Sequence, residues 1–163
     1  STPKPSSAAS DVYKRQDIVL LPHLNGEIGE SDLLNEYLEE FDKYSVEREV
    51  RIAKVADAYD YDNCISNSRF VISMRYHGVV MAINNKVPFL SLSYENKMNE
   101  VCRYSGMINH NVNLSELQNE TVDSIYDFLR TDNFPTEKEW NKRLDYLRIL
   151  ASEATSQIKF RNV

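Results

Sequence analysis

The segment VISMRYHGVVMA, residues 71–82, decides the fold because two apolar patterns meet inside it. Its first half belongs to RFVISM (69–74), a short apolar run typical of a buried strand, and its second half to HGVVMAINN (77–85), which is typical of a helix. Arg75 and His77 interrupt the apolar run where the two halves meet. The segment therefore predicts a strand that leads directly into a helix, with two polar side chains at the junction.

The same alternation of strand and helix extends along most of the chain. The other predicted strands are DIVLLP (17–22), VRIAKV (50–55) and VPFLSLS (87–93), and the predicted helices are 31–44, 61–68, 77–85, 96–106, a segment near 115–130, and 137–158. No hairpin signal joins consecutive strands, so we expect them to run parallel, with helices on both faces of the sheet. The predicted fold class is α/β, a Rossmann-like parallel sheet.

Several element ends can also be predicted. Ser31 is the predicted N-cap of the helix 31–44, and Gly106 is the predicted C-terminal cap of the helix 96–106. A short apolar step at Met107 and Ile108 is the candidate for the last strand.

The first sixteen residues differ from the rest of the chain. STPKPSSAASDVYKRQ is rich in Ser, Ala and Pro and has no periodicity, and it stops where DIVLLPHL begins. It resembles translated linker sequence, so we expect residues 1–16 to be a disordered or artefactual tail and residues 17–163 to be one domain. On this interpretation the natural protein continues upstream.

Composition excludes several classes of partner. The net charge of −6 argues against binding to nucleic acid, although a pocket with two or three cations could still hold a small anion. The chain has no run of about 18 apolar residues, so it predicts no membrane span. Its two cysteines, Cys64 and Cys102, show no CxxC or Cys/His spacing, so we expect reduced thiols, no metal site and a cytoplasmic protein.

The polar residues that follow the predicted strands are the candidate site. Ligands of parallel sheets bind beyond the carboxyl ends of the strands, where helix N-termini favour anions. The side chains at three such junctions are His23, Arg75, His77, Tyr94, Glu95 and Lys97. Arginine offers a planar fork of donors, and histidine can exchange a proton near neutral pH. We therefore predict an anion site with acid–base chemistry at one rim of the sheet.

Each of these residues also has a simpler interpretation. Arg75 could cap a neighbouring turn, His77 could be satisfied by backbone, and Lys97 could be a solvated helix residue. His23 and His110 are both predicted to be ordinary loop histidines on this interpretation, His110 because asparagines flank it. The absence of GxGxxG, GxxxxGK[ST], GxSxG and HExxH argues against the enzyme classes that use those motifs.

A family resemblance strengthens the functional interpretation. The segment SRFVISMRYHGVVMAINNKVPFLSLSYENKMNEVCRYSG (68–106) resembles the polysaccharide pyruvyltransferase family, and VLLPH (19–23) resembles the start of that family's second domain. The matching residues are Arg75, His77, Ala82, Val87, Pro88, Ser93, Tyr94, Lys97 and Gly106. Three residues depart from the family pattern: Tyr76 stands for the usual Leu, Lys86 stands where Gly is common, and Glu95 stands for Asp.

The resemblance implies a specific reaction. The family transfers pyruvate from phosphoenolpyruvate to a sugar of a cell-surface polysaccharide or its precursor, usually as a ketal and without a further cofactor. It implies that His77 is the general acid and that Arg75, Lys97, His23, Tyr94 and Glu95 bind substrate. The implied partners are phosphoenolpyruvate and a sugar acceptor, with a lipid or a nucleotide as the options for its carrier.

The resemblance also implies an architecture and a location. The chain resembles the C-terminal half of a GT-B-type enzyme, which would be inactive without its N-terminal domain. The implied location is the cytoplasm, either free or attached to the inner face of the membrane. Two rival functions stay open: a GT-B glycosyltransferase whose nucleotide-sugar diphosphate occupies the same rim, and a non-catalytic anion-binding domain.

Overall fold

The computed structural model describes residues 17–23, 30–43, 49–116 and 134–156, in which strands and helices alternate. The elements are β1 Ile18–Leu20, α1 Ser31–Lys43, β2 Val50–Ile52, α2 Ala58–Ser66, β3 Val71–Ser73, α3 Tyr76–Asn84, β4 Phe89–Ser93, α4 Asn96–Tyr104, β5 Asn111–Asn113 and α5 Glu137–Ser156. Short 3-10 turns at Ile108–His110 and Leu114–Glu116 flank β5. The alternation and the parallel pairing of the strands confirm the predicted Rossmann-like α/β class.

The described strands are distributed over two parallel sheets. β1 pairs with β2, and the second sheet has the order β3-β4-β5. The chain divides into two compact units, Ser1–Cys64 and Ile65–Val163, and each sheet lies within one of them. The strand before His23 therefore belongs to one sheet, and the strands before Arg75 and Tyr94 belong to the other. The predicted tail at residues 1–16 and the predicted helix near 115–130 fall outside the described residues, apart from the 3-10 turn that ends at Glu116.

Strand β4 is the centre of the second unit. Its residues Phe89, Leu90, Ser91 and Ser93 are all at most 2% exposed. Helices α3 and α4 both pack against it, and β3 and β5 cover its two edges. Phe89 and Leu90 are apolar and Ser93 is hydrogen-bonded, whereas Oγ of the buried Ser91 has no hydrogen-bond partner in the described part of the chain. The chain that leaves β4 therefore starts from a rigid position.

Helix α1 buries less of its predicted apolar face than the periodicity indicated. Leu34 is buried, Leu38 and Phe41 are half-buried, and Tyr37 is exposed. The helix begins at Ser31, and the backbone N–H of Leu34 donates to the carbonyl of Glu30. The prediction that Ser31 is the N-cap is wrong, because Glu30 accepts the first helical bond.

Asp57 caps helix α2, which begins at Ala58, three residues before the predicted start at Tyr61. Its Oδ1 accepts hydrogen bonds of 2.9 Å from the backbone N–H groups of both Tyr59 and Asp60. Aspartate is a strong N-cap because it satisfies N–H groups that have no partner within the helix. The sequence carries this signal, since an Asp precedes the helix, but the weak apolar periodicity of the segment hid it.

Helix α4 ends in a Schellman motif at the predicted Gly106. Gly106 has a φ of +70°, its N–H donates to the carbonyl of Arg103, and the N–H of Met107 donates to that of Cys102. This confirms Gly106 as the cap. It also shows why Met107 and Ile108 are not a strand: Met107 closes the motif, and the last strand is Asn111–Asn113.

Helix α3 ends in the same motif, but with a lysine at the critical position. Lys86 has a φ of +58°, its N–H donates to the carbonyl of Ile83, and the N–H of Val87 donates to that of Ala82. A left-handed backbone is unfavourable for any residue with a Cβ atom. The chain therefore has local strain where α3 turns into β4.

Helix α5 confirms the predicted C-terminal helix and packs through its first turns. Trp140 and Leu144 are buried, whereas Ala151 and Ala154 of the predicted apolar face are exposed. Arg143 joins the helix to the end of α4, because its Nη1 donates to the Gly106 carbonyl at 2.7 Å.

His110 is buried, so its prediction as a surface loop residue is wrong. Its Nδ1 lies 3.1 Å from the carbonyl of Phe89, and its ring packs near the rings of Phe89 and Phe134. The contact with Phe134 spans 24 positions of sequence, so the flanking asparagines could not reveal it. Burial lowers the pKa of His110, although the bond to the Phe89 carbonyl opposes this effect.

Replacement of Lys86 by glycine is expected to stabilise the protein. Glycine removes a left-handed penalty of about 1–2 kcal/mol and adds an entropic cost of about 0.5–1 kcal/mol, so unfolding in urea should require about 0.5–1 kcal/mol more free energy. Gly106→Ala is the matched control and should lose about 1 kcal/mol, because a Cβ is unfavourable at its φ of +70°, while the new Cβ would meet Arg143 only at an ordinary 3.8 Å. A Lys86→Gly variant less stable than wild type would contradict this explanation.

Acidification is expected to weaken the fold through His110. Because its folded pKa is lowered, the unfolded chain binds the proton more readily below the ordinary pKa of 6.5. The contribution of His110 to stability is thus present above that pH and is lost as the pH falls through the folded pKa. Urea unfolding at pH 8 and pH 5 should show a smaller loss of stability for His110→Gln than for wild type. Equal losses in the two proteins would exclude His110 as the cause.

Candidate functional site

The junction between β3 and α3 is shaped by Ser73. Its buried side chain receives a 3.0 Å hydrogen bond from the backbone N–H of Arg75 and donates one of 2.9 Å to the Arg75 carbonyl. A serine hydroxyl that bonds the backbone two residues later stabilises a tight turn. Arg75 therefore occupies the N-cap position of α3, with extended backbone, and His77 lies exposed in the first turn.

The start of α3 suits an anion. Arg75 has no acceptor atom in its side chain, so it cannot cap the first-turn N–H groups of the helix as Ser or Asp would. Those groups and the helix dipole favour a negative charge beside the Arg75 guanidinium. Tyr76 completes the turn, with its ring edge-on to the ring of His77 at 5.6 Å between centroids. The junction thus combines a cation, helix N–H groups, an imidazole and an aromatic ring.

The junction between β4 and α4 carries an ion pair. Glu95 occupies the N-cap position of α4, and its Oε2 lies 2.8 Å from Nζ of Lys97. This hydrogen bond is the main reason that the pKa of Glu95 is lowered and that of Lys97 is raised. Both side chains are about half exposed, so the pair stabilises the fold by little.

The two junctions of the second unit come together. The charge of Arg75 further lowers the pKa of Glu95 and opposes the rise in the pKa of Lys97, so all three groups interact electrostatically. Tyr94 directly precedes Glu95 and lies exposed at the same junction. The sequence rule that parallel strands deliver their following residues to one edge explains this meeting of separate segments.

His23 belongs to the first unit. Its backbone N–H donates to the Glu30 carboxylate at 2.9 Å, and its ring meets the ring of Tyr61 edge-on at 5.6 Å. These contacts hold His23 three residues beyond the end of β1. Its membership of the same site as Arg75 remains a prediction.

The first unit has a cleft that the sequence did not indicate. It has a volume of about 640 Å³ and lies at the carboxyl ends of β1 and β2, beside the start of α1. Leu34 and Ile52 line its apolar part, and Asn35, Lys54 and Asp60 line its polar part. Its position follows the general rule for parallel strands, although its polar residues carry no recognisable motif.

A hydrogen-bonded network lies beneath the junction that follows β4. Ser93 Oγ lies 2.8 Å from Asn99 Oδ1, and Asn111 Nδ2 donates to both of these atoms, at 3.1 and 2.6 Å. The thiol of Cys102 completes the network through a 3.9 Å contact with Asn111 Oδ1. Burial raises the pKa of this thiol to about 11, so it keeps its proton and can donate.

The network joins three elements at the site. Ser93 ends β4, Asn99 lies in the first half of α4, and Asn111 starts β5. Sequence reasoning missed Asn99 and Asn111, because asparagine is ordinarily a residue of turns and caps. The sequence does contain one indication that Asn99 points inward: it lies between the apolar Met98 and Cys102, on the face of α4 that packs against the sheet.

Among the described residues, no three His, Cys, Asp or Glu side chains come together in a way that could hold a metal ion. None of the helices in the described ranges is both long and apolar enough to cross a membrane.

Replacement of Asn111 by alanine is expected to destabilise the protein by about 1–2 kcal/mol, because Ser93 and Asn99 would lose a shared donor in a half-buried position. Urea unfolding provides the measurement. Asn109→Ala is the control and should change stability by less than about 0.5 kcal/mol, because Asn109 is exposed. Equal effects of the two substitutions would show that the network contributes nothing specific.

Comparison with known proteins places the chain in one family. The family model described as polysaccharide pyruvyl transferase matches residues 6–96, more than half of the chain. The match includes Arg75, His77, Tyr94 and Glu95, ends one residue before Lys97, and begins within the predicted tail. Searches among curated proteins and among solved structures each found no match.

Proposed function

Because the chain belongs to the polysaccharide pyruvyl transferase family, we propose that the junctions after β3 and β4 bind phosphoenolpyruvate as the pyruvate donor. One observation carries this proposal: Arg75 and Lys97 follow adjacent parallel strands and interact electrostatically at the starts of two helices. Two cations and helix N–H groups suit a small anion that carries a carboxylate and a phosphate.

The two cations suit the two ends of the donor. The guanidinium of Arg75 offers paired N–H donors that fit a carboxylate or a phosphate, whereas the ammonium of Lys97 acts as a point charge. Glu95 holds Lys97 while the donor is absent. Since an exposed ion pair contributes only about 0–1 kcal/mol, a bound phosphate can replace Glu95 as the partner of Lys97 at little cost.

The proposed chemistry uses His77 as the general acid. A proton passes to C3 of the enol, and a sugar hydroxyl forms a C–O bond at C2 while losing its own proton. Phosphate then leaves with the electron pair of the C2–O bond, and a second sugar hydroxyl closes the ketal with loss of another proton. The sum is phosphoenolpyruvate plus a diol giving a ketal plus phosphate. His77 is exposed beside Arg75, where it can reach a bound donor, and such a group contributes about 10²–10⁴-fold in rate.

The architecture and the location belong to the same proposal. The chain would act as the C-terminal half of a GT-B-type enzyme, paired with an N-terminal domain, and would be inactive alone. Acceptors on a lipid would bring it to the inner face of the membrane, whereas acceptors on a nucleotide would leave it free in the cytoplasm.

Binding of phosphoenolpyruvate is the direct test. Isothermal titration calorimetry should show that Arg75→Gln and Lys97→Gln each weaken binding by about 10-fold or more, since a charge-assisted hydrogen bond contributes about 1.5–3 kcal/mol. Arg103→Gln should leave binding unchanged, because Arg103 pairs with Glu100 near the other end of α4. His77→Gln should still bind the donor, but in the full-length natural protein it should slow phosphate release by about 10²–10⁴-fold.

Three outcomes would contradict the proposal. Binding of uridine diphosphate glucose without binding of phosphoenolpyruvate would favour the glycosyltransferase alternative. Retention of full phosphate release by His77→Gln would remove this residue as the acid. Donor binding by a full-length protein that transfers pyruvate to no sugar, with Arg75→Gln affecting only that binding, would favour the non-catalytic anion-binding domain.

A further inference from the structure

We propose that the outward face of helix α5 is a dimer interface, on which a second copy of this chain packs with its own α5 antiparallel to the first. The face consists of Lys142, Tyr146, Ile149 and Glu153, and we call it the outer stripe. Because no residue of the candidate site belongs to the outer stripe, the interface stands independently of the proposed function.

The outer stripe runs straight along the helix. Its four members occupy positions i, i+4, i+7 and i+11, so at 3.6 residues per turn they lie within a sector of about 60° and extend over about 17 Å. Trp140 and Leu144, the buried residues of α5, lie on the opposite side of the helix. Helix α5 therefore has a second face that the described part of the chain does not cover.

The centre of the outer stripe is apolar. Tyr146 is 53% exposed and Ile149 is 56% exposed, and their spacing of three residues makes their side chains neighbours on the helix surface. Tyrosine and isoleucine both have a lower helix propensity than lysine or glutamate, so a helix face that met only water would gain nothing from them. This apolar centre, Tyr146 and Ile149, suits another apolar surface.

The two ends of the outer stripe carry opposite charges. Lys142 precedes the apolar centre by four residues, and Glu153 follows it by four residues. Neither of these charged groups forms an ion pair with any residue that the structure describes, whereas the nearby Asp145 and Arg148 pair with each other at 3.1 Å. The stripe therefore ends in one cation and one anion, at equal distances from its centre.

This symmetric spacing favours a second copy of the chain as the partner. When two α5 helices pack antiparallel about a two-fold axis at the apolar centre, Tyr146 meets the partner subunit's Ile149, and Lys142 meets the partner subunit's Glu153. The same contacts recur on the other side of the axis, so each charge has a partner. A parallel pair would bring like charges together at both ends, which is unfavourable. The charge pattern therefore selects the antiparallel arrangement.

The size of the interface determines its strength. One pair of helices buries less surface than the roughly 1,600 Å² of a typical stable complex, so we expect a weak and reversible dimer. Exposed ion pairs contribute little to affinity, so Tyr146 and Ile149 should supply most of it. The charges of Lys142 and Glu153 should mainly fix the orientation of the two helices.

Sedimentation equilibrium of this chain, at concentrations from about 10 μM to about 1 mM, tests the interface. Wild type should shift from monomer to dimer across this range. Ile149→Asp should weaken association by more than about tenfold, because it places two carboxylates at the apolar centre. Lys142→Glu and Glu153→Lys should each weaken association by about tenfold, because each brings two pairs of like charges together. The double variant should regain the wild-type affinity within about threefold, because its charges are complementary again.

Arg148→Glu is the matched control. It changes the net charge as much as Lys142→Glu does and lies on the same helix, but its side chain points away from the outer stripe. Dimerisation should therefore be unchanged. All of these positions are exposed, so urea unfolding should show that each variant keeps the fold.

Four results would overturn the interface. The first is a wild-type chain that stays monomeric at the highest concentration, and the second is a dimer that Ile149→Asp leaves intact. The third is a double variant no tighter than the single charge reversals. The fourth is a monomeric chain whose outer stripe is protected from hydrogen exchange only in the full-length natural protein, because another domain would then be the occupant.

Discussion

The hydrogen bonds that join Ser93, Asn99 and Asn111 are the constraint on which the candidate site depends. They connect the end of β4 to α4 and to the start of β5 through side chains whose donors and acceptors match one another. A rotation or a shift of α4 along the sheet would break several of these bonds together. The exposed residues at the start of α4 therefore keep their position although their own ion pair is weak.

The strand and helix order could be predicted because hydrophobic periodicity is a local property of the sequence. The electrostatic interaction of Arg75 with Glu95 and Lys97 agrees with the general rule that adjacent parallel strands deliver the residues after them to one edge of the sheet. His110 could not be predicted, because its burial depends on a contact with Phe134 far along the chain. The asparagines beside His110 indicate a loop, and the ring that packs against it, that of Phe134, lies too far along the chain to be part of any local sequence pattern.

Helix ends show a second limit of local reasoning. The glycine at position 106 predicts a Schellman motif, because glycine readily adopts a positive φ. Lys86 adopts the same backbone conformation although a lysine does not predict it. The hydrogen-bonded network is equally hard to predict from a local segment. Ser93 and Asn99 are close in sequence, but Asn111 joins them through the pairing of β4 with β5. Sequence patterns identify which residues are polar, and only the register of the sheet determines which of them meet. The net charge of −6 likewise says nothing of the cluster of cations at one edge.

The buried thiol of Cys102 has a consequence for how motion near the site could be followed. Cys102 is fully buried, and its sulfur faces the same asparagine that anchors α4. A protonated, inaccessible thiol reacts with alkylating reagents only after the helix separates from the sheet. The labelling rate of Cys102 is therefore a measure of how often α4 separates locally from the sheet. A ligand that contacts both junctions would slow the labelling by as much as it stabilises the packed position of the helix.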